Sequence, residues 1–314
     1  MRGILWLSVI SGACAANAPP PPPEVSRPES APPVASAPAV TNSLPPASSS
    51  EPAGRPAPAL VAAESCGDQC LAFTSSEDAF DYVLARAPRI LAVGEAHAQK
   101  GTEAIESATR RFAERLLPRL QGRASDLVIE LMIASGKCGK TEQKVQEQQR
   151  PVTQNQTATA QNEFVTLGHR AKALGIQPHP LTPSCEEYAA VTRAGQADVA
   201  VLLETVARIT ARQAKALLGN GKSAMVVTYG GAIHNDVAPR AGRESWSFGP
   251  ELSSQIQGAY VELDLIVPEY VKDTEAWRAM PWYDAFSKAP TSPAARLITT
   301  GPASYVLIFP NAKQ

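Results

Sequence analysis

The chain carries no excess of charge of either sign: 29 Lys and Arg stand against 30 Asp and Glu, for a formal charge of −1. No field therefore favours a polyanion, and no Lys/Arg-rich run offers a groove for one, so nucleic acid is excluded as an expected partner. No apolar stretch approaches the roughly 20 residues that a membrane-spanning helix needs. Aromatic residues are missing altogether between Trp6 and Phe73. No internal repeat of fixed period is evident, which sets aside solenoids and propellers. Histidine is scarce, four residues in all, and cysteine numbers five.

The aromatic gap coincides with a shift in composition. Between Ala15 and Leu60 lie 14 of the 28 prolines, mixed with Ala, Ser and Glu. Such a segment cannot bury enough apolar surface to offset its ordering entropy, so residues 15–65 are expected to form a disordered Pro/Ala/Ser-rich linker. Ahead of it, Arg2, a short apolar stretch from Ile4 to Ile10, and the small residues Ser11-Gly12-Ala13 precede Cys14. Residues 1–14 resemble a bacterial lipoprotein signal peptide, with Ser11 where such signals usually carry Leu. The resemblance implies lipidation of Cys14 and an anchor in the bacterial cell envelope. Ala15 lacks the Asp that often retains lipoproteins at the inner membrane, which points to the outer membrane, facing the periplasm or the surface. The membrane is then a partner through the lipid alone.

With Cys14 assigned to lipid, Cys66, Cys70, Cys138 and Cys185 remain, an even number in an exported chain, and two disulfides are expected. A zinc site ligated by all four thiolates is the rival, but Cys66-x-x-x-Cys70 has no matching second pair. Three pairings are possible and the spacing does not choose among them.

Residues 66–314 read as a single domain, with 44% apolar content over the whole chain sufficient for a sizeable core. Strands are expected at Arg89–Val93, Asp126–Met132, Ile176–Leu181, 223–229, Ala259–Val267 and Ser304–Phe309. Pro178 and Pro180 place the third of these at an edge. A helix capped by Thr102 is expected to run to about Leu120, another from Asn162 to Leu174, and a long one from Ala197 to Leu218. Residues 134–160, rich in Gln, Lys and Thr with little periodicity, read as an exposed excursion and a candidate lid. Helices alternating with strands predict an α/β fold, a mainly parallel central sheet with helices on both faces.

Two strands end on one pattern, Gly-x-x-His: Gly94-Glu95-Ala96-His97 and Gly231-Ala232-Ile233-His234. Strands of an open α/β sheet end at the rim where ligands bind, and glycine there admits a close approach. Glu95 and His97, two apart, point the same way if the chain stays extended. Glu130 is embedded in an apolar strand, where an unpaired charge is costly, so it faces a metal, a donor or an arginine such as Arg110 or Arg111. Asn235 and Asp236 stand beside His234, to orient it or add a ligand. His179 lies between prolines at another strand end, and His169 lies off its helix's apolar stripe. Glu262 and Asp264 share a strand face, whose alternation reads as a half-solvated edge strand. Tyr229 and Tyr260 read as core or rim residues. Gly219-Asn220-Gly221-Lys222-Ser223 resembles the end of a phosphate-binding loop, but it precedes a strand where such a loop follows one.

These motifs in this order, over roughly residues 86–310, resemble the superfamily of ChaN-like haem-binding lipoproteins, Tiki and TraB-type metalloproteases, and erythromycin esterases. The resemblance implies an α/β domain whose strand rim holds the Glu/His cluster, and it carries over onto Glu95, His97, Glu130 and His234 as catalytic residues. Tiki-like relatives use such motifs with a divalent metal to cut peptides, and erythromycin esterases use His and Glu to activate water without metal. The leading expectation is a metal-dependent hydrolase acting on a small molecule or peptide. His97, Glu130 and His234 hold a divalent transition metal (Mn, Fe or Zn), and Glu95 accepts a proton from water. The alternative is a haem-binding protein of iron uptake without catalytic activity, in which Tyr229 and His179 are the cofactor-binding candidates.

Overall fold

The structure, a computed structural model, describes residues 63–133, 136–153, 156–194, 199–219, 224–256 and 258–311. The signal segment, Cys14, nearly all of the expected linker, and residues 220–223 of the glycine-rich turn lie outside these.

Among the described residues, nine strands form one sheet: β1 (Glu64–Gly67), β2 (Cys70–Phe73), β3 (Ile90–Glu95), β4 (Asp126–Met132), β5 (Gln177–Leu181), β6 (Val226–Gly231), β7 (Tyr260–Ile266), β8 (Ala295–Gly301) and β9 (Ser304–Ile308). Their order is β1-β2-β8-β9-β7-β3-β6-β4-β5. From β9 to β5 every neighbouring pair is parallel, and the β1, β2, β8, β9 end is antiparallel. β5, with its two prolines, is an edge, where missing amide donors cost least. β3 is central and buried along its whole length, which is why Arg89–Val93 shows no polar alternation.

The helices are α1 (Ser76–Leu84), α2 (Ala108–Arg111), α3 (Lys140–Thr153), α4 (Ala160–Ala173), α5 (Cys185–Ala194), α6 (Val199–Gly219), α7 (Gly249–Gln255), α8 (Glu275–Arg278) and α9 (Tyr283–Ser287). Alternate residues of β3 feed two cores. Leu91 and Val93 pack with Phe80 of α1, with Phe112 and Leu116 beyond α2, and with Phe164 and Leu167 of α4. Ile90 and Ala92 pack with Val206, Ile209 and Ala214 of α6 and Leu252 of α7. Both faces of the sheet are thus covered by helices, the arrangement a parallel sheet requires.

Several expectations change. The cap before α2 is Ser107, whose Oγ accepts from the Arg110 amide at 3.0 Å, not Thr102. After α2 the chain widens to a π-turn at Phe112–Leu116 and tightens to a 3-10 turn at Leu117–Leu120, where Pro118 has no amide to donate. The excursion at 134–160 contains α3, whose Val145 packs with Tyr188 and Val191 of α5 and Leu202 of α6. Cys138 is bonded to Cys185 and Cys66 to Cys70, which resolves the pairing and removes the thiolate zinc site. The first bridge ties the approach to α3 to the start of α5, 47 residues on. The strand carrying Glu262 and Asp264 is no edge: β7 lies between β3 and β9 and is buried at every position.

Candidate functional site

The parallel strands β3, β4 and β6 deliver their carboxyl ends to one rim. Register sets the details: Glu95 lies beside Gly231, and Gly94 lies between Gly230 and Asp264. A Cβ on Gly94 would sit 2.6 Å from Ala232 Cα and 2.6 Å from Asn235 Oδ1. Bare backbone at Gly94 is therefore what lets the loop after β6 fold back over the sheet. On the next strand, a Cβ on Gly230 would strike the Glu130 side chain, approaching its Cβ to 2.8 Å.

Glu95 is 3% exposed and its carboxylate is fully engaged. Its Oε1 accepts from His97 Nδ1 at 2.8 Å, and its Oε2 accepts from Thr109 Oγ1 and from the Tyr229 hydroxyl, each at 2.7 Å. A carboxylate accepts only, so the proton between Glu95 and His97 sits on Nδ1 and the ring turns Nε2 away. Burial pulls the His97 imidazole down, but the Glu95 hydrogen bond and the charges of Glu95 and Glu130 outweigh it and push it up to about 9. The ring keeps some solvent contact, with 24% of its side chain exposed. Phe164 stands edge-on to it at 5.8 Å between centroids.

His234, 3% exposed, is fixed in the same sense by a different acceptor. Its Nδ1 donates to the Trp246 carbonyl at 2.7 Å, which leaves Nε2 without its proton in the neutral ring, 3.6 Å from Glu130 Oε1. Glu130 Oε2 accepts from the Gly231 amide at 2.6 Å. Arg110 and Arg111 pair with Glu106, Glu114 and Glu269, so no arginine of that helix is Glu130's partner. The point where a Cβ on Gly231 would stand is 3.2 Å from His97 Nε2, 3.7 Å from Glu130 Oε2 and 3.8 Å from His234 Cδ2. His97, Glu130 and His234, taken from three strand ends, thus converge on a space that glycine keeps open.

The other expected residues lie elsewhere or face inward. Tyr229 is 2% exposed and packed between Phe112 and Phe164, and its hydroxyl is taken by Glu95. His179 bonds Asp126 Oδ1 at 2.7 Å, at the opposite end of β4 from Glu130. His169 is exposed on α4. Tyr260 donates to the Asn235 carbonyl at 2.7 Å. Asn235 Nδ2 donates to Ala92 O at 3.2 Å and to Asp264 Oδ1 at 3.0 Å, so it braces the loop that carries His234.

Thr109 and the Trp246 carbonyl are partners of Glu95 and His234 that the sequence does not reveal: one is a helix residue among arginines, the other a backbone atom in a stretch without motif. Asp236, Glu262 and Asp264 also gather on the far face of the sheet, with one carboxylate oxygen from each within 4.8 Å of the others. Burial and the neighbouring Asp236 push Glu262 up to about 7, burial pushes Asp236 up to about 6, and burial with Glu262 raises Asp264 well above the usual range.

No protein-family model matches the chain, and no curated protein matches it. Among solved structures, the type III effector HopBA1 is similar at 11% identity with a TM-score of 0.39, over 76% of this chain and 94% of that one. A likeness so slight carries no argument about activity, and the reading below rests on the residues themselves.

Proposed function

We propose that this chain is a lipid-anchored cell-envelope protein whose rim site, His97, Glu130 and His234, binds a divalent transition metal (Mn, Fe or Zn) and supports hydrolysis of a small-molecule or peptide substrate. The observation that carries the reading is the pair of imidazoles whose Nδ1 atoms are each held by an acceptor-only oxygen, Glu95 Oε1 and Trp246 O, so that both present Nε2 beside one carboxylate. Histidine ligands of metals are typically oriented in this way, with the second nitrogen bonded to a carboxylate or a carbonyl. Two nitrogen donors and a carboxylate suit Mn, Fe or Zn, and the glycine at 231 supplies the space. A metal held there supplies Lewis-acid polarisation and acidifies water near neutral pH.

The role of Glu95 changes from the sequence expectation. With both oxygens occupied by His97, Thr109 and Tyr229, it acts through His97: it fixes the tautomer and makes Nε2 more basic. Glu130, its side chain 22% exposed, turns Oε1 to the rim, 3.6 Å from His234 Nε2, so that oxygen is the one placed to hold the metal. Because His97 is pushed up to about 9, proton and metal compete for Nε2, and binding weakens as pH falls. For the haem alternative, Tyr229 and His179 are both already bonded inside the protein.

Metal analysis of protein purified without chelator tests the reading. Wild type is expected to retain stoichiometric metal, and His97→Ala and His234→Ala to lose it. A saturable Soret shift on haem titration, with no metal retained, would overturn the proposal in favour of haem binding.

A further inference from the structure

Behind the rim, on the α6 face of the sheet, lies a narrow space of about 10 Å³ lined by Val128, Glu130, Thr210, Thr228, His234 and Asn235, among others. Among the described residues, two polar atoms of its lining are buried without a hydrogen-bond partner: Thr228 Oγ1 and Asn235 Oδ1. Thr228 is 2% and Asn235 1% exposed. Leaving such groups unpaired costs roughly 1–3 kcal/mol each, so orphans of this kind call for a partner. The amide cannot be turned round to remove the problem. Its Nδ2 already donates to two oxygens, Ala92 O and Asp264 Oδ1, and Oδ1 in its place would face a carbonyl that cannot donate. Nor can Thr228 serve Asn235 directly, since neither atom has a partner within bonding reach. Thr210 has spent its hydroxyl hydrogen on Val206 O and offers only an acceptor.

The space is of the order that one water needs, ~10–15 Å³, and the lining is polar, as internal waters require. We propose that Thr228 and Asn235 hold a single ordered water in this chamber. The water accepts the Thr228 hydroxyl hydrogen, donates to Asn235 Oδ1, and has its second hydrogen free for an acceptor of the same lining, Glu130 or the Thr210 oxygen. These are the two to four partners a buried water makes. Thr228 and Asn235 are then positioning residues that fix the back of Glu130 and the turn bearing His234. The chemistry asks for a neutral donor of water's size. The chamber stands whether or not the rim holds a metal, so this inference goes beyond the function proposed above.

A high-resolution crystal structure of the protein decides it. The expected result is one peak of water height within hydrogen-bond distance of Thr228 Oγ1 and Asn235 Oδ1 in wild type and Thr228→Ser, and none in the nearly isosteric Thr228→Val. An empty chamber in wild type overturns the proposal, as does an anomalous peak there after a rubidium soak, which would make the occupant a monovalent cation. Metal retention read on the same three proteins tests the positioning role: Thr228→Val is expected to weaken it about 10-fold, with Ser restoring it. Wild type that retains no metal but shows the peak breaks the rim reading and leaves the water standing.

Discussion

Glu95 and Asp264 lie near the carboxyl ends of neighbouring strands, face opposite sides of one sheet and are both almost wholly buried, yet their surroundings treat them in opposite ways. Glu95 meets an imidazole and two hydroxyls, all donors. Asp264 meets one amide hydrogen, from Asn235, and two further carboxylates, Glu262 and Asp236. The first arrangement holds a negative charge and uses it to orient His97. The second pushes protons on: Asp264 is raised well above the usual range by burial and by Glu262. A buried carboxylate becomes an instrument of a site when donors outnumber charges around it, and a reservoir of protons when they do not.

The largest effect is expected where the satisfied side is broken. Glu95→Ala leaves Thr109 and Tyr229 hydroxyls unpaired and strips His97 of its acceptor, at a cost of about 3–5 kcal/mol by urea denaturation. His97 then feels mainly its burial, and its titration followed by NMR should drop from about 9 to below its ordinary value near 6.5. A His97 that still titrates near 9 in this variant would mean that Glu130 alone sets it.

The two sides should also separate by pH, in metal-free protein with chelator present. His97 is raised in the folded state, so its contribution is fully present below about 6.5 and is lost as pH rises to about 9. Glu262 is a raised carboxylate: the folded state keeps its proton, and stability falls as pH climbs from about 4.5 to about 7. Both slopes are downward but lie in successive windows. Glu262→Gln, which keeps an acceptor for the Val237 amide and Ser304, should make the lower window shallower, with the raised Asp236 and Asp264 supplying the slope that remains. His97→Gln should flatten only the upper one. A single slope abolished by either change would refute the separation of the two faces.

This contrast was partly legible in the sequence. Strand-ending glycines and scarce histidines point to His97 and His234, and a lone acid in an apolar strand points to Glu130, because rim chemistry and backbone turning are both local matters. The inward lean of Glu95 was not legible, since its partners Thr109 and Tyr229 come from 14 and 134 residues away. Glu262 and Asp264 misled for the opposite reason. Alternating acids and aliphatics are the pattern of a half-solvated strand, and only topology, with β9 and the antiparallel β8 and β2 closing the far side of β7, makes them buried. β1, β2 and β8 leave no clear signal in the sequence because four- to seven-residue strands of mixed polarity carry little periodicity.

The smallest effect tests how much of the satisfied side rests on one donor. Tyr229→Phe removes the hydroxyl that reaches Glu95 Oε2 but keeps the ring between Phe112 and Phe164, at 4.7 and 5.6 Å between centroids. Packing is retained, and Thr109 still donates to the same oxygen, so the expected cost is about 1.5 kcal/mol. Metal retention should be unchanged, because Glu95 Oε1 still holds His97 Nδ1. Haem titration should be unchanged as well, since a phenol 2% exposed and already donating to a carboxylate is closed to an iron. Loss of a haem shift on this one substitution would show that Tyr229 leaves the core, and with it the distinction between an inward carboxylate cluster and an outward metal rim would fall.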